Sequence, residues 1–382
     1  MAEPFKHLID AGVVAAIAHH VGRAGADFRR EAFERQALAG LDALELKARV
    51  MQLAHALVAA LPADVDRAAS LLEASLGPPG EGDDLASLRS GAAGLAGWPV
   101  WPLTEAVALI AAETAPERGL RALHAMTQRQ TAEFAIRPFL IRHPALAAAT
   151  LARWVHDPSA HVRRLVSEGS RPRLPWGQRL QALVADPSPA LPWLRQLQDD
   201  PSAYVRRSVA NHLNDIAKDH PALLARWLAE HLPGAFQARQ ALLRHASRGL
   251  VKQGDAAVLA AWGLGAAFQG RVALALAPDR LCVGESLQLV VTLHGSAPQP
   301  QRLAIDYAVH HVKAAGHTTV KVFKGWVIDL APGEQRLLVR RHSMKPVSTR
   351  RYHPGAHAVD VRINGTVVAQ AGFALRLAGE AL

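Results

Sequence analysis

The ten residues Asp157-Pro-Ser-Ala-His-Val-Arg-Arg-Leu-Val166 recur, 43 positions later, as Asp200-Pro-Ser-Ala-Tyr-Val-Arg-Arg-Ser-Val209. Eight of the ten positions are identical, so the two segments are copies of one structural unit. In each copy an aspartate precedes a proline, an order typical of a helix start, because the carboxylate can cap free backbone N–H groups and proline suits the first turn. Weaker similarity extends the pattern to 238–242 and a following helix near Trp262. Self-similarity at about 40 residues with two helices per unit indicates HEAT-like repeats, which stack into a solenoid with a concave binding surface.

The residues before the repeats also have the periodicity of helices. Apolar residues at helical spacing predict amphipathic helices over 5–18, 28–39 and 42–61. After a glycine- and proline-rich loop that begins at Gly77, further helices are predicted near 103–113 and 117–129.

After about residue 270 the pattern changes to short alternating segments. Residues 271–276, 286–293, 318–322 and 335–340 alternate between apolar and polar, and Asn364-Gly365 separates two similar segments as in a β-hairpin. We therefore expect a mainly α protein of two domains. A HEAT-like α-solenoid over 1–268 is followed by an all-β immunoglobulin-like sandwich over 269–382.

The net charge of +10 is distributed unevenly along the chain. Residues 1–128 have 11 Lys and Arg against 16 Asp and Glu, residues 129–252 have 18 against 9, and residues 253–382 have 14 against 8. A basic surplus that begins in the middle of the chain is expected of a surface that binds a polyanion. A generally arginine-rich composition is the alternative explanation.

Several classes of protein are excluded by what the sequence lacks. It has no apolar run of the roughly 18 residues that span a bilayer and no apolar signal core near its first residues, so we expect a cytoplasmic protein without membrane contact. A single cysteine, Cys282, excludes an internal disulfide. Phosphate-binding glycine loops and zinc motifs are missing, and the 19 histidines lack ligand spacing, so we expect neither a metal nor a cofactor.

The helix predicted over 203–218 has one apolar and one polar stripe. Val205, Val209, Leu213 and Ile216 recur at helical spacing and are expected to be buried. The polar stripe consists of Arg207, Asn211, Asn214, Asp215 and Lys218. The repeat alignment adds Arg164, Glu168 and Arg171 from the preceding unit, Gln240, Arg244 and Arg248 from the following unit, and Arg129, Glu133 and Arg137 one unit earlier. Since equivalent faces of stacked repeats point the same way, we expect one basic band.

Three carboxylates, Glu133, Glu168 and Asp215, lie within this predicted basic band. A surface that only grips phosphates has little use for carboxylates, because they repel the ligand. Acids retained in a cationic groove indicate chemistry on a positively charged group. The alternative is that each acid only forms a salt bridge with an arginine one helical turn away.

Two further features have two interpretations each. Trp176 ends the segment Arg171-Pro-Arg-Leu-Pro-Trp176, and an aromatic ring beside Arg173 can stack on a base or sugar, or it can belong to the core. His310, His311 and His342, with Lys313, Arg340, Arg341, Lys345, Arg350 and Arg351, are predicted to lie in basic loops of the sandwich. Those loops either contact a phosphate or form a solvated edge.

Five segments resemble the AlkC branch of the AlkC/AlkD-type DNA glycosylases. They are Pro4-Phe-Lys-His-Leu-Ile-Asp10, Thr131-Ala-Glu-Phe-Ala-Ile-Arg-Pro-Phe139, Asp157-Pro-Ser-Ala-His-Val-Arg-Arg-Leu-Val-Ser-Glu-Gly169, Arg171-Pro-Arg-Leu-Pro-Trp176 and Ser208-Val-Ala-Asn-His-Leu-Asn-Asp-Ile-Ala-Lys-Asp219. The resemblance spans the helical region and implies an immunoglobulin-like C-terminal domain. It also implies hydrolysis of the N-glycosidic bond of cationic alkylated bases such as 3-methyladenine, without base flipping.

The resemblance places the functional acids of the family at Glu133, Glu168 and Asp215, and its aromatic contact at Trp176. We expect contacts to double-stranded DNA from Arg164, Arg171, Arg173, Arg207, Asn211, Asn214, Lys218, Arg244, Arg248 and Arg341, and we expect a monomer. Two rival functions remain. A non-catalytic nucleic-acid scaffold would bind undamaged DNA and release no base, whereas a protein-interaction solenoid would have an apolar concave stripe.

Overall fold

A computed structural model describes residues 5–83, 87–314, 316–347 and 351–377 of the chain. Pro4 and Arg350, both named above, lie outside the described residues. The α-helices of the described part are α1 (Ala11–Ala24), α2 (Arg30–Leu38), α3 (Leu46–Ala60), α4 (Val65–Ala74), α5 (Val100–Ala111), α6 (Pro116–Thr127), α7 (Arg137–Arg142), α8 (Pro144–Trp154), α9 (Ala160–Gly169), α10 (Gln181–Ala185), α11 (Leu191–Leu197), α12 (Ala203–Ile216), α13 (Pro221–His231), α14 (Gln237–Gln253) and α15 (Ala256–Ala261). Short 3-10 turns occupy Phe5–Leu8, Leu41–Ala43 and Ser188–Ala190.

The chain forms two compact units. The first comprises residues 1–219 and 236–246, and the second comprises residues 220–235 and 247–382. The last helix ends at Ala261 and the first strand begins at Gly270, so the predicted boundary after residue 268 lies between helix and strand. The second unit nevertheless includes helical residues from before that boundary, and a boundary at 268 remains a prediction.

Helices α9 and α12 are the two copies of the repeat. Each begins two residues after its proline, so serine occupies the N-cap position that the sequence predicted for aspartate. Each aspartate lies two residues before the N-cap and holds the N-cap serine. Oδ1 of Asp157 accepts from the Ser159 N–H at 2.8 Å, and Oδ1 of Asp200 accepts from the Ser202 N–H at 2.9 Å. The apolar stripe predicted for α12 is confirmed, since Val205, Val209, Leu213 and Ile216 are buried.

An ion pair joins one copy to the next. Arg163 on α9 donates to both oxygens of Asp200, Nε at 2.6 Å and Nη2 at 3.0 Å. The Arg163 side chain also donates to the carbonyls of Asp157 and Pro158, so it ties the start of its own helix to the start of the next. Because its carboxylate is 3% exposed, Asp200 depends on this arginine for charge compensation.

The helices of the first third differ from the predicted spans at their ends. The predicted helix 5–18 is a 3-10 turn followed by α1, because Asp10 caps a new helix by accepting from the Val13 N–H at 2.9 Å. The predicted helix 117–129 ends at Thr127. Glu133 therefore lies in the turn between α6 and α7, and the helical spacing predicted for Arg129, Glu133 and Arg137 is wrong.

The strands form two sheets. They are β1 (Gly270–Ala277), β2 (Arg280–Cys282), β3 (Ser286–Gly295), β4 (Gln301–Val312), β5 (Thr318–Leu330), β6 (Gln335–Ser343), β7 (Gly355–Ile363) and β8 (Thr366–Arg376). Among the described residues one sheet has the order β1-β3-β6 and the other β2-β8-β7-β4-β5. Leu287 and Leu289 of the first sheet share a buried cluster with Tyr307, Val359 and Phe373 of the second, so the core lies between the sheets. The predicted fold class, helical repeats followed by an immunoglobulin-like sandwich, is confirmed.

The basic loops predicted for the sandwich are partly wrong. His310 and His311 lie on β4 and His342 lies on β6, where His311 and His342 are buried. Arg340 and Arg341 also lie on β6 rather than in a loop, and Arg341 is exposed. The alternation predicted for 335–340 continues to Ser343, so Arg341 and His342 belong to the strand, where neighbouring side chains point to opposite faces.

The described residues contain neither a membrane-spanning helix nor a metal-binding cluster. In that part of the chain no helix is both long and apolar enough to cross a bilayer. The same residues contain no cluster of three or more His, Cys, Asp or Glu side chains placed to hold a metal ion.

Replacing Arg163 by methionine should lower the free energy of unfolding by about 3–5 kcal/mol, because it leaves the buried Asp200 charge unpaired. The matched control is Arg239→Met. Arg239 pairs with the adjacent Asp199, but these side chains are 24% and 34% exposed, and loss of such a pair should change stability by at most about 1 kcal/mol. Urea denaturation of both variants measures the difference. Equal losses of unfolding free energy in the two variants would show that burial of Asp200 does not determine how much its ion pair with Arg163 contributes.

Candidate active site

The three carboxylates singled out from the sequence come from three different segments. Glu133 lies in the turn before α7, Glu168 in the last turn of α9, and Asp215 in the last turn of α12. The stacking of α9 beside α12 brings these segments together. Two arginines, Arg164 and Arg171, connect all three acids, and we call these five side chains the acid–arginine network.

Arg164 lies between Glu133 and Glu168. Its Nη1 donates to Glu133 Oε2 at 2.6 Å and to Thr131 Oγ1 at 2.8 Å, and its Nη2 is 3.5 Å from Glu168 Oε1. The guanidinium also lies over the ring of Tyr204, 5.0 Å from the ring centroid. Thr131 donates to the same oxygen of Glu133 at 2.8 Å, so this carboxylate is held from two sides.

Arg171 lies between Glu168 and Asp215. It donates through Nη1 to Glu168 Oε1 at 2.7 Å and through Nε to Asp215 Oδ2 at 2.8 Å. The second oxygen of each acid has a partner of its own. Ser208 donates to Glu168 Oε2 at 2.6 Å, and Lys218 donates to Asp215 Oδ1 at 2.7 Å.

The arginines determine the charge state of Glu168. Burial alone raises the pKa of this carboxyl, but the charges of Arg164 and Arg171 outweigh it and leave the pKa below its usual range. The pKa of Arg164 is pulled down by burial but raised overall by Glu133 and Glu168. Glu168 is therefore a carboxylate at neutral pH, although only 5% of the residue is exposed.

A cavity of about 320 Å³ opens beside the network. Glu133, Glu168, Arg171 and Trp176 line it, and Asp215 does not. The other lining residues are Trp98, Trp101, Gln130, Thr131, Phe134, Leu174 and Pro175. Asp215 is 1% exposed and reaches the cavity wall through its ion pair with Arg171, and its predicted catalytic role stays a prediction.

Trp176 is not part of the core. It is 68% exposed and has a positive φ of 63°, which is strained for a side chain of this size. Lys47 donates to the Trp176 carbonyl at 2.7 Å. Of the two interpretations left open by the sequence, the exposed ring is the one that the structure supports.

Arg137 holds the loop that carries Trp176. The sequence placed Arg137 on the basic band, but it is fully buried. Its Nη1 donates to the Gly169 carbonyl at 2.8 Å and its Nε donates to the Gln178 carbonyl, so one side chain joins the two ends of the loop. Burial lowers the pKa of Arg137 to about 10, which still leaves it charged at neutral pH. Arg129 also lies off the band, because it donates to the carbonyls of Gly77 and Ala125.

A second cavity, of about 580 Å³, adjoins the first. Arg164 and Arg207 line it with Arg89 and Tyr204, and Trp98 and Thr131 line both cavities. This places two of the arginines predicted to contact DNA beside the site of the acids. Arg207 is exposed and has no ion-pair partner within the described residues.

The other residues predicted to contact DNA differ in their exposure and in whether they are already paired. Asn211 and Asn214 on α12 are half-buried, and Asn211 contacts His245 at 2.9 Å. Arg173 is paired with both oxygens of Asp219, and Arg171 is buried between acids, so neither is displayed as a free cation. Arg244 belongs to the first compact unit, whereas Arg248 and Arg341 belong to the second. Their contact with DNA remains a prediction.

Comparisons with known proteins agree with this fold. The family described as "Uncharacterised protein YhaZ, C-terminal Ig-like domain" matches residues 271–377. The protein YhaZ of Bacillus subtilis strain 168 is 42% identical over 252 residues, which are 66% of this chain and 70% of YhaZ. The alkylpurine DNA glycosylase AlkC of Pseudomonas fluorescens, solved with DNA containing an abasic site analog, is 35% identical. It superposes with a TM-score of 0.86 over 98% of this chain and 100% of its own.

This chain belongs to the AlkC family. The match extends over both compact units, so the family assignment does not depend on the sandwich alone. It supports a role as a DNA glycosylase and DNA as the partner. The segments that carry the sequence resemblance contain all five residues of the acid–arginine network, together with Thr131 and Ser208.

Several residues of this AlkC-family site were missed by sequence analysis. Thr131 and Ser208 complete the hydrogen bonds of Glu133 and Glu168, and Lys47 supports Trp176 from 129 positions away in the sequence. Trp98 and Phe134 line the cavity. Thr131 and Phe134 flank Glu133 in the sequence and could have been suspected. Nothing in the sequence indicated that Lys47 or Trp98 would come near Trp176.

His212 should make the stability of the helical unit depend on pH. It is fully buried, its Nδ1 is 2.9 Å from the Ser167 carbonyl, and burial lowers its pKa from 6.5 to about 4. Between these two values the unfolded chain binds more protons than the folded chain, so stability falls as the pH falls through this window. We expect a loss of about 3 kcal/mol between pH 7 and pH 4 from this group.

Urea denaturation at several pH values measures this loss. The variant His212→Asn retains the other histidines, so its stability should fall less steeply with decreasing pH than that of the wild type. Identical slopes for the two proteins would contradict the assignment.

Proposed function

We propose that this chain hydrolyses the N-glycosidic bond of cationic alkylated bases, such as 3-methyladenine, in double-stranded DNA. The observation that carries the proposal is the cavity in which two glutamates, Glu133 and Glu168, lie beside the exposed Trp176. A surface that only binds phosphates gains nothing from carboxylates, whereas a positive charge that forms on the sugar is stabilised by them.

The chemistry needs little from the protein at the base. An alkylated base that already carries a positive charge leaves as a neutral molecule, so neither a general acid nor a cofactor is required. Departure of the base leaves an oxocarbenium-like sugar, as in other glycoside hydrolysis. Negative charge placed close to that sugar lowers the barrier, which limits the substrates to labile cationic lesions.

The two glutamates differ in what they can do. Both oxygens of Glu168 accept hydrogen bonds, from Arg171 and Ser208, so Glu168 is suited to electrostatic stabilisation of the sugar. Glu133 accepts through Oε2 only, and its Oε1 has no hydrogen-bond partner within the described residues. We assign Glu133 Oε1 to orient the attacking water and accept its proton. Asp215 is a positioning residue, because it holds Arg171.

The base need not leave the duplex in this scheme. Arg207 is exposed in the adjoining cavity and is placed to hold a phosphate beside the lesion, and Arg164, although paired with Glu133, adds positive charge to the same cavity. Water would then attack the anomeric carbon of the sugar while the base remains in the duplex, without base flipping. We further propose that the protein is cytoplasmic and monomeric. Gel filtration of the purified protein tests the oligomeric state.

Glu133→Gln and Glu168→Gln should each lower the single-turnover rate of 3-methyladenine release by about 100-fold or more, because each removes a charge that acts in the transition state. Asp215→Asn should cause a smaller loss of about tenfold together with a lower Tm, since it loosens Arg171. Released bases are measured by chromatography from methylated duplex DNA. Glu31→Gln, an exposed glutamate on α2, is the control and should have the wild-type rate.

DNA binding by the glutamine variants should survive, because the arginines that line the groove remain. Wild-type rates in both glutamine variants would overturn the assigned roles. Salt-sensitive binding of the wild type to undamaged DNA with no free base released would instead identify the chain as a non-catalytic scaffold.

A further inference from the structure

An aromatic wall lies along the cavity that contains the glutamates. The rings of Trp101 and Phe134 are stacked with centroids 5.3 Å apart, and Trp98 lies 6.1 Å from Trp101. Trp101 is the inner member, since it is 5% exposed and its indole N–H donates to Glu105 Oε1 at 3.0 Å. Trp98 and Phe134 are half-buried and line the cavity with Trp101.

The backbone holds Trp98 at this position. Gly97 has a left-handed φ of 70°, and a Cβ at this residue would lie 2.5 Å from the Leu88 carbonyl oxygen, so only glycine fits. The Gly97 N–H donates to the Arg129 carbonyl at 3.0 Å, which anchors the turn to the end of α6. Trp98 is therefore directed by a rigid turn rather than by a free loop.

Three tryptophans and two carboxylates thus line one recess. Trp98 reaches it from the turn before α5 and Trp176 from the loop after α9, and Glu133 and Glu168 line the same recess. Of the three tryptophans, only Trp176 was expected at the site from the sequence. Aromatic faces and carboxylates have one property in common, which is that both attract a positive charge.

We propose that Trp98 contacts the positively charged deoxyribose that forms when the base departs, and that it is a specificity-determining residue for cationic over neutral sugars. This inference rests on the proposed function. The negative face of the indole attracts a cation but gains little from a neutral ring of the same shape. Trp98 therefore adds to transition-state binding without any proton transfer of its own.

Trp98 is a better candidate than its neighbours for this contact. The edge of Trp101 is already engaged by Glu105, and Trp101 is almost fully covered. Phe134 already has the ammonium of Lys47 5.8 Å from its ring centroid. Trp98 lines both this cavity and the adjoining one with Arg164 and Arg207, so it stands where the sugar would meet the phosphate-binding side chains.

The test compares two DNA duplexes that differ at one abasic position. One contains tetrahydrofuran, a neutral sugar analogue, and the other contains a pyrrolidine, which is protonated and mimics the charged sugar. The measured quantity is the ratio of the two dissociation constants, which cancels the common contribution of the phosphates. The wild type should prefer the pyrrolidine duplex. Trp98→Leu should reduce this preference about fivefold, which is the loss expected from one partly desolvated cation–π contact.

Two further variants keep the test decisive. Trp98→Tyr and Trp98→Phe retain an aromatic face. The preference for the pyrrolidine duplex should be largest in the wild type, smaller in these two variants and smallest in Trp98→Leu. This ranking carries the test if the leucine variant does not fold. Phe236→Leu is the matched control, because Phe236 is an exposed ring with Arg239 above it, outside the recess, and its loss should leave the ratio unchanged.

The outcomes separate this inference from the proposed function. A wild type that releases no base from methylated DNA refutes the glycosylase proposal whatever the ratio. A wild type that releases base and prefers the pyrrolidine duplex, combined with an unchanged ratio in folded Trp98→Leu, refutes the role of Trp98 alone. Equal loss of affinity for both duplexes also overturns it, because Trp98 would then contact DNA without regard to charge.

Discussion

Arg171 lies between two buried carboxylates from different repeats, and Arg164 continues the chain of charges to a third acid. Buried carboxylates stay ionised only where cations and hydrogen bonds replace the lost water. The two guanidinium groups supply that compensation, and their fixed fork geometry also sets where each carboxylate points. Removal of either arginine would leave negative charge unpaired, so the position of the acids and the stability of the repeat stack depend on the same contacts.

The same contacts explain how an acidic site can exist on a DNA-binding surface. Glu133 and Glu168 line a cavity beside the proposed phosphate-binding side chains. Their repulsion of phosphates is offset by the arginines beside them. Glutamates beside arginines suit a ligand that is anionic along its backbone and cationic at one point, as the proposed alkylated DNA substrate is.

Rigidity around the cavity comes from side chains that never reach it. Arg137 joins the ends of the loop of Trp176, Lys47 holds the carbonyl of that strained residue, and Gly97 permits the turn that presents Trp98. A strained, exposed tryptophan persists only where the surrounding structure overdetermines its backbone. The aromatic rings are therefore held in place before any substrate arrives, which reduces the ordering required on binding.

The sequence by itself determined the repeat, the change from helix to strand near residue 270 and the apolar stripe of α12, and it singled out three acids that the structure links through two arginines. All of these depend on local periodicity or on motifs within one segment, which a sequence displays directly. It assigned Arg137 to the wrong surroundings because helical spacing predicts a face but not what packs against that face. Glu133 was placed on a helix that ends before it. Only the tertiary structure decided which acids line the cavity, which arginines are spent on pairing them, and that Lys47 and Trp98 belong to the site, because these contacts join residues far apart in the chain.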